Sequence, residues 1–179
     1  FVFVELHFIE INIMANLSLT RVNQKLMQAK QLLQVVDVSS LTSVHLNALL
    51  EGAAFHLICA YQHYLREITE TYGLKNVVAL RSEGDLIGAF EAAKKYPAEA
   101  EELVALRKDE KSWLVQLQTY YDSLWRLPVV NENRDSDNLI SLVNMDSVDL
   151  IDVDLRVIQG WQFEFTALIL RQRETSAEF

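Results

Sequence analysis

The hydrophobic and polar positions of this chain follow the pattern of long helices. Apolar residues recur at alternating spacings of three and four, which places them on one stripe of a helix. In the first stretch, from about Leu17 to Val36, these positions are Leu19, Val22, Leu26, Ala29, Leu33 and Val36. The second stretch runs from Leu41 to Tyr72, and Gly73 is well placed to end it. This second helix is long enough to run the full height of a domain.

Two further helices are predicted in the middle of the chain. Ser82 to Asp85 has the pattern of a capping box at the start of a third helix. Pro97 suits the first turn of a fourth helix, which reaches Leu127. The apolar stripe of this helix consists of Leu103, Leu106, Trp113, Leu117, Tyr120 and Leu124. The charged run at 107–111 interrupts the stripe, so we expect a bend or an exposed stretch there, unless a buried Glu110 finds a partner.

The C-terminal stretch fits either a helix or a strand hairpin. The segments IDVDLRV and WQFEF alternate between apolar and polar residues, as strands do. Helical spacing is kept by an overlapping set of residues, namely Leu155, Ile158, Trp161 or Gln162, Phe165 and Ile169. We favour the helix, because Asp152 or Asp154 can cap its start and the arginines at 171 and 173 suit the dipole at its end.

Scarce turn-forming residues extend this interpretation to the whole fold. The 179 residues include five glycines and two prolines, whereas sandwiches and barrels need many tight turns. The sequence predicts an all-α fold, a single-domain and mostly antiparallel bundle of about five helices. Residues 129–154 are the one clear shift in composition, with seven acidic residues against Arg134 alone. We expect an acidic connector there, with 139–145 as a candidate short helix.

The first thirteen residues differ from the rest of the chain. The segment FVFVELHFIEINI alternates like an isolated strand and precedes the first methionine, Met14. It lacks the basic start and the cleavage site of a signal peptide, and it is too short and too charged to span a membrane. We expect residues 1–13 to be extended and outside the core, and the natural start to be Met14. The alternative is a strand that pairs with another chain.

Four segments resemble a family of small, uncharacterised, all-helical bacterial proteins. They are NLSLTRVNQKL, EGAAFHLICAYQHYLREI, SWLVQLQTYYDSLW and RQRETSAEF. The resemblance covers Met14 to Phe179 and agrees with a start at Met14. It implies a helical protein of the bacterial cytosol. It implies no activity, because none is assigned to the family.

The candidate chemistry lies on one face of the second helix. His56, Cys59 and His63 are spaced i, i+3 and i+7, and Glu67 follows at i+11. Imidazole and thiolate groups are ligands of zinc and other transition ions, so His56, Cys59 and His63 form a candidate metal site that a second helix completes. A Cys59–His63 nucleophile pair is a further alternative. The competing interpretation is structural, because half-buried amphipathic side chains commonly border an apolar face.

Missing motifs, the net charge and the single cysteine argue against several classes of function. Motifs of the HExxH, CxxC, P-loop and GxGxxG types are absent, so we expect no cofactor. A formal net charge of −9 argues against nucleic-acid binding, which depends on Lys and Arg against phosphates. The single cysteine fits a reducing compartment, and we expect a cytoplasmic protein. The stretch Leu41 to Leu65 carries one formal charge, but its histidines and amides argue against a membrane span.

The sequence therefore favours a non-enzymatic protein-interaction or self-associating module. The long amphipathic faces and the acidic connector are the features that support a protein partner or self-association. One alternative is a metal-dependent or thiol enzyme that uses the face of His56, Cys59 and His63. The other is a small-molecule binder between the second and fourth helices, with a cavity lined by Tyr61, Tyr64, Trp113 or Tyr120.

Overall fold

The computed structural model describes residues 2–34, 38–74, 80–126 and 153–176. This part of the chain forms six α-helices and one short 3-10 turn, and it contains no strand, which confirms the all-α prediction. The helices are α1 (Val2–Leu33), α2 (Ser43–Thr71), α3 (Glu83–Ala92), α4 (Ala98–Lys108), α5 (Trp113–Ser123) and α6 (Leu155–Ser176).

α1 and α2 form a long antiparallel hairpin. Ser18 of α1 contacts Glu70 near the end of α2, whereas Leu32 lies against Gly52 in its first half. The two helices approach closely here, since a Cβ atom added to Gly52 would lie 3.1 Å from the Leu32 side chain. Small residues in α2 are fully buried and allow this approach, namely Ala53, Ala54 and Ala60.

α6 packs beside this hairpin and runs antiparallel to α1. Near its start, Gln159 donates a hydrogen bond to the backbone carbonyl of Leu33. Near its end, Arg173 donates to Asn23 of α1. α5 crosses the core side of α6 in the opposite direction, with the Trp113 and Phe165 rings stacked 5.0 Å apart. α3 and α4 pack on each other and close the bundle against α2 and α5.

The predicted caps explain where several helices begin. Ser82 and Asp85 form the predicted capping box at the start of α3. The Asp154 carboxylate accepts a hydrogen bond of 2.9 Å from the Val157 amide and so caps α6. The hairpin alternative for the C-terminal stretch is therefore wrong. Gly73 has a φ of 70°, as predicted for the residue that ends α2.

Two predicted boundaries are corrected by the structure. The predicted fourth helix is two helices, because the chain leaves the helix at Asp109 and Ser112 caps α5 through the Val115 amide. Glu110 lies exposed in this break, so its carboxylate is solvated and does not need a partner in the protein. The extended segment predicted for residues 1–13 is wrong, since α1 begins at Val2. Whether the natural chain starts at Met14 stays a prediction.

The acidic connector at 129–154 lies outside the described residues apart from positions 153 and 154, and so does the candidate helix at 139–145. Among the described helices, α2 has the length and composition to cross a membrane, a test that the core helix of a soluble protein also passes. α2 buries one face in the bundle, and that face includes the carboxylate of Glu67. The absence of a membrane span stays a prediction.

Candidate functional site

The predicted histidine face lies where α2 meets α1. His56 and Cys59 are half-buried, and the Lys25 Nζ atom of α1 lies 3.5 Å from His56 Nδ1. The same ammonium group lies 5.9 Å from the centre of the Phe55 ring, within cation–π range. Burial lowers the pKa of His56, and the positive charge of Lys25 lowers it further. The face is therefore electropositive.

Positive charge continues along this face. Burial lowers the pKa of His63, and the charges of Arg66, Arg21 and Lys25 add to the effect. Burial also raises the pKa of the Cys59 thiol, against an opposite effect of Lys25. A thiol that holds its proton more tightly is a weaker nucleophile and a weaker metal ligand. These surroundings favour the neutral forms of His56, Cys59 and His63 and a structural role for them.

The metal and thiol hypotheses rest on His56, Cys59 and His63, which share one helix face as the sequence predicts. Within the described ranges, no group of three His, Cys, Asp or Glu side chains is close enough to hold a metal ion. An incoming cation would also meet the ammonium group of Lys25. Metal binding at this face stays a prediction, and metal analysis of the untagged protein checks it.

A buried ion pair lies at the other end of α2. The Arg173 guanidinium of α6 donates to both carboxylate oxygens of Glu67, with N–O distances of 2.7 and 2.9 Å. The exposed fractions of the two side chains are 24% and 7%. Arg173 also donates to the Asn23 side chain of α1 at 3.0 Å. One guanidinium therefore joins three helices.

A separate set of hydrogen bonds joins α2, α6 and α4 in the same region. The Tyr64 hydroxyl donates to Gln172 Oε1 at 2.6 Å, and Gln172 Nε2 donates to Glu102 Oε2 at 2.7 Å. Arg171 pairs with the other oxygen of Glu102. Burial raises the pKa of Tyr64, and the negative charge of Glu67 adds to this. Tyr64 is thus held protonated, as its donor role requires.

Glu99 is a second buried carboxylate in this region, with 6% of its surface exposed. The Ser176 hydroxyl donates to it at 2.6 Å, and the Tyr72 hydroxyl donates at 3.0 Å. Burial raises the pKa of Tyr72 to about 12, together with the hydrogen bond and the charge of Glu99. Glu99 lies in the first turn of α4, where the helix dipole stabilises a carboxylate.

These groups surround a pocket of about 270 Å3, which we call the end pocket. α1, α2, α4 and α6 line it, and its lining includes Leu19, Tyr64, Glu67, Ile68, Tyr72, Glu99, Arg173 and Ser176. It differs from the apolar cavity expected between the second and fourth helices. Tyr61 donates to Glu83, Trp113 stacks on Phe165, and Tyr120 lies against Trp161. Of the four aromatic residues predicted to line a cavity, Tyr64 lines the end pocket.

α6 is apolar on two opposite faces. Its inner face is buried in the core through Ile158, Trp161, Phe165, Leu168 and Ile169. Its outward side carries four exposed residues at spacings of three, four and three, namely Gly160, Phe163, Ala167 and Leu170. We call these four residues the outer stripe. Phe163 is 69% exposed and Leu170 is 55% exposed. A bundle helix needs one apolar stripe for its fold, so the outer stripe exceeds that need.

Charged residues lie at the two ends of the outer stripe. Arg156 precedes it by one turn and Glu174 follows it by one turn, and both are exposed. Gly160 lies inside α6, and a Cβ atom added there would meet none of the described residues within 4 Å. The outer stripe was not predicted from the sequence, although the alternation in WQFEF was its signal. The Glu67–Arg173 pair was not predicted either, because local spacing gives no signal for it.

Comparison with known proteins agrees with the predicted resemblance. No curated protein and no solved structure matches this chain. The sequence model of a family described as a family of unknown function (DUF6586) matches residues 14–179. This range confirms the uncharacterised family that the sequence predicted from Met14 onward. The chain therefore belongs to DUF6586, a family of unknown function.

Proposed function

We propose that this protein is a protein-interaction module and that the outer stripe of α6 is its contact surface. The observation that carries the proposal is the exposure of Phe163 and Leu170 on one face of a helix whose opposite face is already buried. Full burial of a Phe or Leu side chain is worth about 1.5–3 kcal/mol, so covering these two residues is favourable. Clustered exposed apolar side chains commonly mark protein–protein contacts.

The outer stripe is held on a rigid support. Directly behind it, Phe165 is fully buried and stacks on Trp113. Gln159 ties the start of α6 to α1, and Arg173 ties its end to Glu67. A surface that is ordered before binding loses little conformational entropy when a partner arrives, which supports a binding role.

The proposal assigns no catalytic step to this protein. The buried ionisable groups of the end pocket have partners within the bundle, as Glu67 does in Arg173 and Glu99 does in Ser176 and Tyr72. Such contacts suit groups that join helices. In this proposal the protein works in the cytoplasm, where a half-buried free thiol such as Cys59 stays reduced.

Site-specific crosslinking tests the contact surface. The full chain carries the photoreactive residue p-benzoylphenylalanine at position 163 and is expressed at native level in the organism that encodes it. Irradiation should then give a discrete adduct with a protein, which mass spectrometry identifies. The matched control carries the same residue at Val44, which is 77% exposed on α2. No adduct from position 163, or equal adducts from both positions, would contradict the proposal.

A second candidate function is the binding of a small organic cation in the end pocket. The pocket is lined by the carboxylates of Glu67 and Glu99 and by one guanidinium, that of Arg173. Among the described residues, Glu99 forms no ion pair. The aromatic rings of Tyr64 and Tyr72 also favour a cation at close range.

Calorimetric titration with a small organic cation tests whether the end pocket binds such a ligand or only joins the helices. The n-butylammonium ion should bind the wild-type protein, whereas n-butanol, which lacks the charge, should not. Glu99→Gln should abolish the binding of the ammonium ion. Glu101→Gln, at an exposed position in the same helix, is the matched control and should leave binding unchanged. Equal titration of the two compounds would remove this candidate.

A further inference from the structure

The outer stripe is complementary to itself, and we infer that its partner is a second copy of this chain, bound through antiparallel pairing of α6 with α6 about a two-fold axis. This inference rests on the proposed function of the outer stripe. It adds the identity of the partner, the direction of the helices and their register.

The register follows from the positions of the residues around Phe165. In an antiparallel helix pair related by a two-fold axis, residues at equal distances before and after the centre face each other. Phe163 and Ala167 lie two residues on either side of position 165, and Gly160 and Leu170 lie five residues on either side. Each large residue of the outer stripe therefore faces a small one.

This alternation suits close helix packing. Phe163 of one copy fits beside the partner's Ala167, and Leu170 fits over the partner's Gly160. By symmetry both contacts occur twice. Large side chains that fill spaces left by small ones allow interhelical distances of about 8–10 Å. The packing is thus specific to one register and one direction.

Charge selects the same register independently. Arg156 and Glu174 lie nine residues on either side of position 165, on the same outward side of α6. In the antiparallel pair, Arg156 faces the partner's Glu174 at each end, about 27 Å apart along the helix. In a parallel pair, Arg156 would face the partner's Arg156, and Glu174 would face the partner's Glu174. Like charges would oppose that arrangement.

Gly160 also fits this arrangement. Inside an exposed helix, glycine is less favourable than alanine. No residue in the described part of a single chain requires glycine at this position, because none lies within 4 Å of a Cβ atom added there. In the pair, the missing side chain leaves room for the partner's Leu170.

The test is sedimentation analysis of the full chain over a range of concentrations. One helix pair gives an interface at the lower end of specific sizes, so we expect a dimer with a dissociation constant of about 1–100 μM. Arg156→Glu and Glu174→Arg should each raise that constant at least about tenfold, because each creates two like-charge pairs. The double variant Arg156→Glu with Glu174→Arg should restore the wild-type value. Glu91→Arg, at an exposed position on α3, is the matched control for charge and should change nothing.

A steric variant tests the same geometry without charge. Gly160→Leu adds an apolar side chain where none of the described residues would meet its Cβ atom, so it should leave the single chain folded, as circular dichroism can check. It fills the space that receives the partner's Leu170 and should weaken dimerisation at least about tenfold. A merely adhesive apolar patch would instead associate more strongly, which would overturn the inference.

The remaining outcomes are distinct. A monomer at about 100 μM, combined with adducts from position 163 that contain only other proteins, would overturn the second copy as partner and leave the proposed function standing. A dimer that does not respond to either charge reversal would also overturn the inference. The absence of any adduct from position 163 would remove the proposed function itself.

Discussion

Arg173 of α6 holds Glu67 of α2 in a bidentate ion pair, although the two residues are 106 positions apart in the chain. The contact fixes more than the distance between two helices. Because Arg173 points toward α1 and α2, it sets the rotation of α6 about its axis. The same rotation buries Trp161 and Phe165 and turns Phe163 outward. The ion pair thus helps to present the outer stripe.

Breaking this ion pair should be costly. Arg173→Met leaves the Glu67 carboxylate buried without its cation, and we expect a loss of about 3 kcal/mol in the free energy of unfolding. Urea unfolding at neutral pH measures it. Arg171→Met is the matched control, since Arg171 is 62% exposed, and its loss should stay below about 1 kcal/mol.

The double variant Glu67→Met with Arg173→Met separates pairing from packing. Without either charge, no uncompensated ion remains, so the double variant should be more stable than Arg173→Met alone. If the losses of the two single variants simply added, the two groups would not be coupled, and the ion pair would not have the structural role that its geometry indicates.

Helix positions and caps could be predicted from the sequence, because both depend on neighbours in the chain. Apolar spacing located α2 and α6, and Ser82 and Asp154 marked the start of two helices. The break between α4 and α5 was indicated only by a charged run. Such a run is compatible with a helix break or with an exposed stretch of one continuous helix. The break is stabilised by the Ser112 hydroxyl, which accepts from the Val115 amide and donates to the Leu106 carbonyl.

Tertiary relationships could not be predicted in the same way. The alternation Trp161, Phe163, Phe165 is typical of a strand, yet it arises on a helix with two apolar faces. Spacing alone does not show which face is inside. The N-terminal alternation also suggested a strand, whereas α1 is helical from Val2. The pairing of Glu67 with Arg173 could not be predicted, because residues 106 positions apart leave no periodic pattern in the sequence.

A carboxylate that is poorly paired predicts a stabilising substitution. Glu70 accepts a hydrogen bond from Ser18 through one oxygen, while its other oxygen is buried without a partner among the described residues. Burial raises the pKa of Glu70, against the hydrogen bond from Ser18. Its ionised form therefore opposes folding at pH 7. Glu70→Gln keeps the acceptor for Ser18 and removes the charge.

We expect Glu70→Gln to increase the free energy of unfolding at pH 7 by less than about 1 kcal/mol, since Glu70 is only partly buried and solvent weakens the penalty on its charge. The gain should vanish in acid. The folded state holds the Glu70 proton more tightly than the unfolded chain, so the wild-type penalty appears as the pH rises above about 4.3. Urea unfolding of both proteins at pH 7 and pH 4 measures the difference. A lower stability of Glu70→Gln at pH 7 would contradict this account.

The histidine face predicts a loss of stability in mild acid. The pKa values of His56 and His63 are lowered in the folded protein by burial and by nearby cations. Below about pH 6.5 the unfolded chain therefore binds protons that the folded protein resists, and stability decreases as the pH falls. Unfolding measured between pH 8 and pH 5 should show this slope. The variant His56→Gln with His63→Gln should show a smaller slope, and an unchanged slope would assign the acid sensitivity to other groups.

α2 and α3 end in the same Schellman motif, but a different residue occupies its left-handed position in each helix. At the end of α2, the Leu74 amide donates to Thr69 and the Gly73 amide donates to Glu70, the two bonds of a Schellman motif. At the end of α3, Lys95 and Lys94 make the equivalent bonds to Phe90 and Glu91. The left-handed position is therefore Gly73 in one motif and Lys94 in the other, with φ values of 70° and 54°.

This difference predicts substitutions of opposite sign. Gly73→Ala places a side chain in the left-handed region and should cost about 1 kcal/mol, whereas Lys94→Gly relieves that strain and should gain about 0.5 kcal/mol. Lys94→Ala is the matched control, because it removes the charge but keeps the strain, and its stability should match the wild type. Urea midpoints at constant slope measure all three variants. If Lys94→Ala stabilised the protein as much as Lys94→Gly, the lysine side chain and not the backbone would be the source of the strain.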